Sequence, residues 1–564
     1  MTPFRSKTGR GLAVGLPIFL LVATLTCRAD TPAKVDKLFA QWTRADSPGA
    51  AVVIVKDGAI VYQHGYGCAD LEHHVPNTPQ TLFDIASLSK QFTGLSVAML
   101  VHQGRLSLDD DIHKYLPDLP DFGKPITINN LVRHTSGLRD WPETLMLSEW
   151  YGPITLDVIL EMVRRQRELD FAPGDEEQYS NTGYNLLAAA IARITGQSFR
   201  SWTEKTIFQP LGMTNSMVCD DPAEVINNCA NSYAPAGDGK FQRVVSQLSA
   251  EGSSSIFMSA EDMGKWLLNF ESGRVGGKDV IQAMQQPGKL NNGTRVDYGF
   301  GLGLGVYHRI PRITHGGSWA GYRSFMMWMP EKRFAIAILA NTSDMDTYDV
   351  AMNITSLYLD IPAPAKSKSD VRPSAAFKPD PSNWNAILGT YRLAPGQLVT
   401  ITREGDQLLT QATHEEKLKV TQVSETNFWV ETNGPALTFV RDDAGAVKKL
   451  SYHGINAEKL TVPELTPSQL AAYTGDYWSE ELGVVAHLEV HDGRLARRSR
   501  FGTWIILLPT GTDVFDSDAG EFSVRFTRNA ASEVIESSVS GNRVRNIRYR
   551  RITLPKAQPA APAI

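Results

Sequence analysis

The segment Pro362–Pro381, rich in Pro, Ala, Lys and Ser, separates two parts of the chain whose residue patterns cannot share one core. Beyond it the sequence runs as short strands between Gly/Asp/Asn turns, and it repeats. Leu388-Gly389-Thr390-Tyr391 corresponds to Thr474-Gly475-Asp476-Tyr477, the run Ile401–Leu408 to Leu488–Leu495, and Gly445–Leu450 to Asn542–Ile547. Two all-β copies predict two small barrels, at 383–462 and 463–554, since closure removes the unpaired edges of a short sheet. Residues 362–382 read as the linker before them, and the Pro/Ala-rich 555–564 as a disordered tail.

Before the linker the order is strands, helices, strands. Ala50–Lys56 and Ala59–His64 flank Asp57-Gly58, a hairpin signal. Mostly helical periodicity follows to about Phe270, and apolar runs return at Ser324–Met329 and Phe334–Ala340. One antiparallel sheet built from the two ends, with a helical part inserted between them, gives an α/β domain over 30–361. Residues 1–29 read as a secretory signal: Arg5, Lys7 and Arg10, an uncharged run Gly11–Thr26, then Cys27-Arg28-Ala29. Cleavage after Ala29 and a periplasmic location are the expectation. Lipidation of Cys27 is the less suited alternative, with Thr26 before it. No later run is apolar for about 20 residues, so no membrane span is expected after cleavage.

A net charge of −5 gives no basic footprint for nucleic acid. The cysteines and histidines show no zinc-ligand spacing, and no cofactor is expected. Cys219 and Cys229 bracket a short segment and could close a disulfide in an oxidising compartment, with Cys68 left as a buried small hydrophobe.

One Ser-x-x-Lys occurs in the chain, Ser87-Leu88-Ser89-Lys90. Leu88, Phe92, Leu95 and Met99 follow at helical steps, with Asp84 as a cap and Gly104 as a stop, which predicts a helix buried on one face. Residues three apart are neighbours on a helix. A serine hydroxyl needs a base, and a desolvated lysine can be one. The one Tyr-x-Asn, Tyr179-Ser180-Asn181, follows Pro173-Gly174. It reads either as a capped loop or as a phenol and amide that relay protons and hold a substrate. In His315-Gly316-Gly317-Ser318, ahead of a strand, the glycines leave main-chain N–H groups open to a developing oxyanion. His134-Thr135-Ser136-Gly137-Leu138 reads as a structural polar loop.

Together and in this order, these segments resemble the serine hydrolases that include penicillin-binding proteins, class C β-lactamases, D-Ala-D-Ala carboxypeptidases, D-aminopeptidases and related esterases. The resemblance covers roughly Pro48 to Asn341. It implies a β-lactamase-like fold, Ser87 as nucleophile, Lys90 as base or relay, and Tyr179 as the partner that protonates the leaving group. It also implies Asn181, His315 and Gly317 as substrate-binding residues, with the N–H groups of Ser87 and Ser318 as oxyanion hole. Where the β-lactamase and carboxypeptidase branches carry Lys-Thr-Gly, this chain has His315-Gly316-Gly317; its Lys7-Thr8-Gly9 lies in the leader. The histidine form and the two barrels are similar to D-aminopeptidases, in which a barrel loop reaches the site.

The resemblance therefore implies hydrolysis of small amides or peptides, D-amino-acid-containing ones first. Esterase, D,D-peptidase and weak β-lactamase activities are alternatives, and a cell-wall- or ligand-binding protein with a relic site is the non-enzyme one. The absence of any Gly-x-Ser-x-Gly elbow argues against an α/β-hydrolase. An aminopeptidase must bind an ammonium, and the acidic turn Asp513–Glu521 is the candidate carboxylate source.

Overall fold

The computed structural model describes residues 31–44, 46–362, 379, 381–413, 415–431, 434–442, 445–452 and 454–553. The expected leader, the tail 555–564 and most of the linker lie outside them.

Asp57 and Gly58 both take positive φ (51° and 80°), the geometry of a tight hairpin turn, and fold strand β1 (Ala50–Lys56) onto β2 (Ala59–Tyr66). The far end of the domain supplies β3 (Gly303–Tyr307), β4 (Ile310–Trp319), β5 (Tyr322–Met329) and β6 (Phe334–Ala340). They form one antiparallel sheet in the order β3-β4-β5-β6-β1-β2. The two ends meet where β1 pairs β6, from Ala50 opposite Ala340 to Lys56 opposite Phe334.

Both central strands are uninterrupted apolar runs because both faces of the sheet are covered. Alternation along the strands sorts the side chains. Val53, Val55, Ala337 and Leu339 face a core shared with Phe92 and Trp266, whereas Val52, Ile54, Ile336 and Ile338 pack with Val35, Val350 and Ile354. The latter three come from helices at the domain's two ends, Thr31–Leu38 and Thr347–Leu359.

The inserted part holds helices α1 (Lys90–His102), α2 (Trp141–Leu147), α3 (Asn181–Thr195) and α4 (Ala260–Ser272), the last lying against β1 and β6. The expected one-faced helix after Ser87 differs in two respects. Ala86–Ser89 forms a 3-10 turn and the α-helix begins at Lys90. That helix is also buried on almost every side, because its polar residues have internal partners. Gln91 accepts from Trp266 Nε1 at 3.0 Å and Thr93 donates to the Gly252 carbonyl at 2.7 Å. At Gly94 a Cβ would stand 2.4 Å from the Phe300 carbonyl oxygen.

The repeated part is two closed eight-stranded antiparallel barrels, from Gly389–Ala394 to Ile455–Lys459 and from Gly475–Ser479 to Ile547–Ile552. The repeat is visible in atomic detail. Gly389 and Gly475 share an unusual φ (129° and 134°). The tyrosines two residues on each donate to a carbonyl four residues back, Tyr391 to Ile387 at 2.7 Å and Tyr477 to Tyr473 at 2.9 Å.

The second barrel docks on the α/β domain. Leu147 of α2 joins the barrel's core, Arg139 pairs with Glu481 (3.0 Å), and Arg497 pairs with Glu149 (3.1 Å). Cys219 and Cys229 are not joined, contrary to the disulfide considered above. Each thiol instead donates to a nearby carbonyl, of Asp221 and Ala230 respectively. Burial pushes the two thiols up to about 11 and about 12, away from reactive thiolate.

Candidate active site

Ser87 sits on the 3-10 turn, directly after a strained residue. Ala86 has φ 49°, a left-handed conformation that costs a non-glycine residue about 1–2 kcal/mol. Three contacts hold it. Asp84 accepts from the Ala86 N–H at 2.8 Å, so the expected capping residue acts on this turn rather than on the helix. Burial pushes the Asp84 carboxyl up to about 7, against that same N–H. Ser324 Oγ of β5 donates to the Ile85 carbonyl at 2.8 Å. Finally β4 presses on the turn at Gly317, where a Cβ would stand 2.5 Å from the Ile85 oxygen. Gly317 is thus a glycine because of close packing beneath Ser87.

Lys90 is fully buried. Its Nζ is 3.1 Å from Ser87 Oγ, 2.7 Å from Asn181 Oδ1 and 2.9 Å from the Ser253 carbonyl oxygen. Two of these partners can only accept, whereas the hydroxyl can also donate. As an ammonium, Nζ donates to all three; as a neutral amine it keeps two N–H donors for the accept-only pair and can turn its lone pair to the Ser87 proton. Burial pushes Lys90 down to about 7; Asp140 opposes this and Arg543 adds to it.

Asn181 opens α3, whose N-terminus is capped by Ser180 Oγ accepting from the Gly183 N–H. The Asn181 amide is oriented by Asp140, just before α2: Asn181 N–H donates to Oδ1 at 2.6 Å and Nδ2 to Oδ2 at 2.9 Å. The Tyr179 hydroxyl bonds the Ser87 hydroxyl, and burial raises the phenol's pKa so that it stays protonated. Lys90 Nζ lies 4.8 Å from the Tyr179 ring centroid. The His134 loop is structural, as read from sequence, and it braces this segment. His134 Nδ1 accepts from the Ser180 N–H at 3.1 Å, and its carbonyl accepts from the Gln178 N–H at 2.9 Å.

β3 pairs β4 only as far as Thr314, so the stretch from His315 onward has one open edge facing the Ser87 turn. Ser318 lies on that stretch. Both ring nitrogens of His315 are engaged: Nδ1 donates to the Gly316 carbonyl (2.7 Å), which leaves Nε2 to accept from Tyr298 Oη (2.9 Å). Burial, and then the Lys90 charge, push His315 down to about 4. It therefore forms a neutral wall and offers no cation where Lys-Thr-Gly would.

A cleft of about 790 Å³ opens here, with Ser87, Tyr179, Asn181, Ser318, Arg323 and Arg543 in its lining. Arg543 comes from the second barrel. Its guanidinium bonds Asp140 Oδ2 at 3.1 Å and lies 5.0 Å from the Tyr179 ring centroid. The acidic turn is not the loop that enters. Asp513 pairs with Arg528 inside the barrel, and Asp516 is buried against Arg392 and the Gly396 N–H of the first barrel. Sequence reasoning also missed Asp140 and the Ser253 carbonyl. The carboxylate two residues after the His134–Leu138 loop was a signal for Asp140; a backbone oxygen leaves none. Among the described residues no group of three His, Cys, Asp or Glu gathers as a metal site, and no helix is long and apolar enough to cross a membrane.

An α/β domain of this topology, with serine, lysine, tyrosine and asparagine converging on one cleft, defines a serine hydrolase of the β-lactamase and penicillin-binding class. Residues 35–358 match the Beta-lactamase family, and the chain belongs to it. Penicillin-binding protein 4* of Bacillus subtilis (strain 168) is 26% identical over 431 residues, 72% of this chain and 93% of that protein. A D-aminopeptidase of Brucella melitensis biotype 1 is 25% identical over 523 residues, 90% of this chain and 96% of that protein. Among solved structures, the octameric penicillin-binding protein homologue from Pyrococcus abyssi shares the fold with TM-score 0.56 and 23% identity. The match covers 76% of this chain and 99% of that one.

Proposed function

We propose that this hydrolase is exported and opens small amides and peptides, D-amino-acid-containing ones first, through an acyl-enzyme on Ser87. The observation that carries the mechanism is the fully buried Lys90 amine 3.1 Å from Ser87 Oγ, within reach of its proton and desolvated so that the neutral form is favoured. Ser87 Oγ attacks the carbonyl carbon while its proton passes to Lys90 Nζ. The resulting oxyanion faces the N–H groups of Ser87 and Ser318. As the carbon–nitrogen bond breaks, the Tyr179 phenol gives its proton to the leaving amine and takes one from Lys90. Water then attacks the ester, giving its proton to Lys90, which passes it to the departing Ser87 Oγ, so that the acid leaves and the free hydroxyl and neutral amine are restored.

The substrate reading is supported by the D-aminopeptidase relative, which aligns with both the catalytic domain and the barrels. A second reading is favoured by the charges of the cleft. Arg323 and Arg543 line it, and its one acidic lining residue, Asp346, caps a helix by accepting from the Asp349 N–H. Two guanidiniums suit a peptide bearing a free carboxylate, as a D,D-peptidase substrate does.

The test is incubation with a fluorophosphonate, which should mark Ser87 in wild type and nothing in Ser87→Ala. Release assays on D-Ala amides, D-Ala-D-Ala peptides, p-nitrophenyl esters and a chromogenic cephalosporin then rank the substrates. Turnover of the cephalosporin alone would sink the amide and peptide readings. A mature amino terminus at Asp30 in a periplasmic fraction is the expected sign of export.

A further inference from the structure

The loop that carries Arg543 is clamped by its own backbone. The Arg543 N–H donates to Glu143 Oε2 and the Arg545 N–H to Asp170 Oδ1, both at 2.7 Å, while Val544 is buried in the barrel core. At Gly541 a Cβ would stand 2.6 Å from Glu143 Oε2, so the loop lies directly against that carboxylate. What this clamp presents to the cleft is one guanidinium, set on Asp140. Asp140 itself is fully buried and gathers four donors: Asn181 N–H, Asn181 Nδ2, Thr182 N–H and Arg543 Nη1. Asn181 Oδ1 in turn receives Lys90 Nζ. An unbroken chain of polar contacts thus runs from the second barrel to the amine beside Ser87.

We propose that Arg543 is a positioning residue of the hydrolase site, reaching in from the second barrel to neutralise Asp140 and so to keep the Lys90 amine free of its proton at neutral pH. The proposal rests on the acyl-enzyme reading for its consequence, but its electrostatics stand apart. The groups around Lys90 leave few alternatives. His134 and His315 are both pushed down by burial and are neutral at pH 7. The phenols of Tyr179, Tyr184 and Tyr298 are pushed up by burial and are also neutral. The charges left facing the amine are Asp140, which favours its protonation, and Arg543, which opposes it. Burial pushes the Asp140 carboxyl up and Arg543 holds it down, so the guanidinium keeps the carboxylate charged while cancelling its pull on the Lys90 proton; with Arg543 removed, the charge of Asp140 would act on the amine unopposed.

The experiment follows Lys90 directly, by NMR of the full-length protein carrying lysine labelled with ¹³C at Cε, with the signal assigned by Lys90→Met. In wild type the amine should titrate near neutrality. Arg543→Ala should raise its midpoint by about one pH unit or more, since a nearby charge moves a pKa by that much. Arg543→Lys, which keeps the charge, should stay close to wild type. Adding Asp140→Asn to Arg543→Ala should bring the midpoint back down. If the alanine variant does not fold, Arg543→Gln carries the same expectation.

An unmoved midpoint in Arg543→Ala, or a raised one that Asp140→Asn fails to lower, overturns the proposal. Fluorophosphonate labelling of the same samples reports separately on the hydrolase. Lys90 titrating as expected in protein that never forms the adduct would support the electrostatic coupling and reject the acyl-enzyme reading.

Discussion

The Lys90 amine and the Asn181 amide oxygen lie 2.7 Å apart, and the amide cannot turn round because its nitrogen donates to Asp140 at 2.9 Å. Lys90 therefore always meets an oxygen that can accept but never donate. Asn181→Asp would replace that neutral oxygen with a carboxylate, favour the ammonium form and raise the Lys90 pKa. Acylation at pH 7, measured as the rate of fluorophosphonate labelling, should fall at least about tenfold and recover as pH rises toward 9. A loss that does not recover would mean that Asn181 acts on the substrate alone.

The buried lysine also sets a pH dependence of stability. Lys90 lies near 7 in the fold against 10.5 for a free side chain. Between those values the unfolded chain binds a proton that the native state lacks. Native stability therefore gains with pH across the window from about 7 to 10.5, and below 7 this contribution is flat. Urea unfolding should show that rise in wild type and a smaller one in Lys90→Met. Equal slopes in the two proteins would place the Lys90 pKa near its ordinary value.

Gly317 tests the coupling between β4 and the Ser87 turn. Alanine there would meet both the Ile85 carbonyl and Ser324 Oγ, the pair that holds the turn. Gly317→Ala should destabilise the protein by about 1–3 kcal/mol, as overpacking does, and slow labelling of Ser87 at every pH. A pH-dependent loss would instead trace the effect to Lys90.

The barrel–barrel joint should be separable from catalysis. Asp516 binds Arg392 and the Gly396 N–H of the first barrel, and neither barrel residue lines the cleft. Asp516→Ala should loosen the first barrel by about 1–3 kcal/mol through the unpaired buried donors. Calorimetry should then show an earlier, separate transition with labelling of Ser87 unchanged.

Local chemistry was what the sequence showed best. Asp57-Gly58 announced its turn, the apolar runs at both ends announced one sheet, and the tyrosines Tyr391 and Tyr477 marked a true structural repeat. Ser87, Lys90, Tyr179 and Asn181 could be singled out because each pair is close in the chain. What escaped was set by distance and by backbone. Asp140 and Arg543 are 403 residues apart, and nothing local to either announces the other. The acidic turn attracted attention by its charge, but Asp516 spends that charge inside the joint between barrels. A helix stripe drawn from Leu88, Phe92, Leu95 and Met99 could not foresee that Gln91, Thr93 and Gly94 would be buried too, because their partners come from distant segments.

By strand order the connection that carries Arg543, between the seventh and eighth strands of the second barrel, corresponds in the first barrel to the one between Val447–Tyr452 and Ile455–Lys459; Ala446 lies before the seventh strand, so the sequence match of Gly445–Leu450 to Asn542–Ile547 is not a structural one. Six residues, 541–546, link the two strands in the second barrel against two, 453–454, in the first, and it is the longer link that reaches Asp140. A repeated fold thus reaches a neighbouring domain by lengthening one turn of one copy.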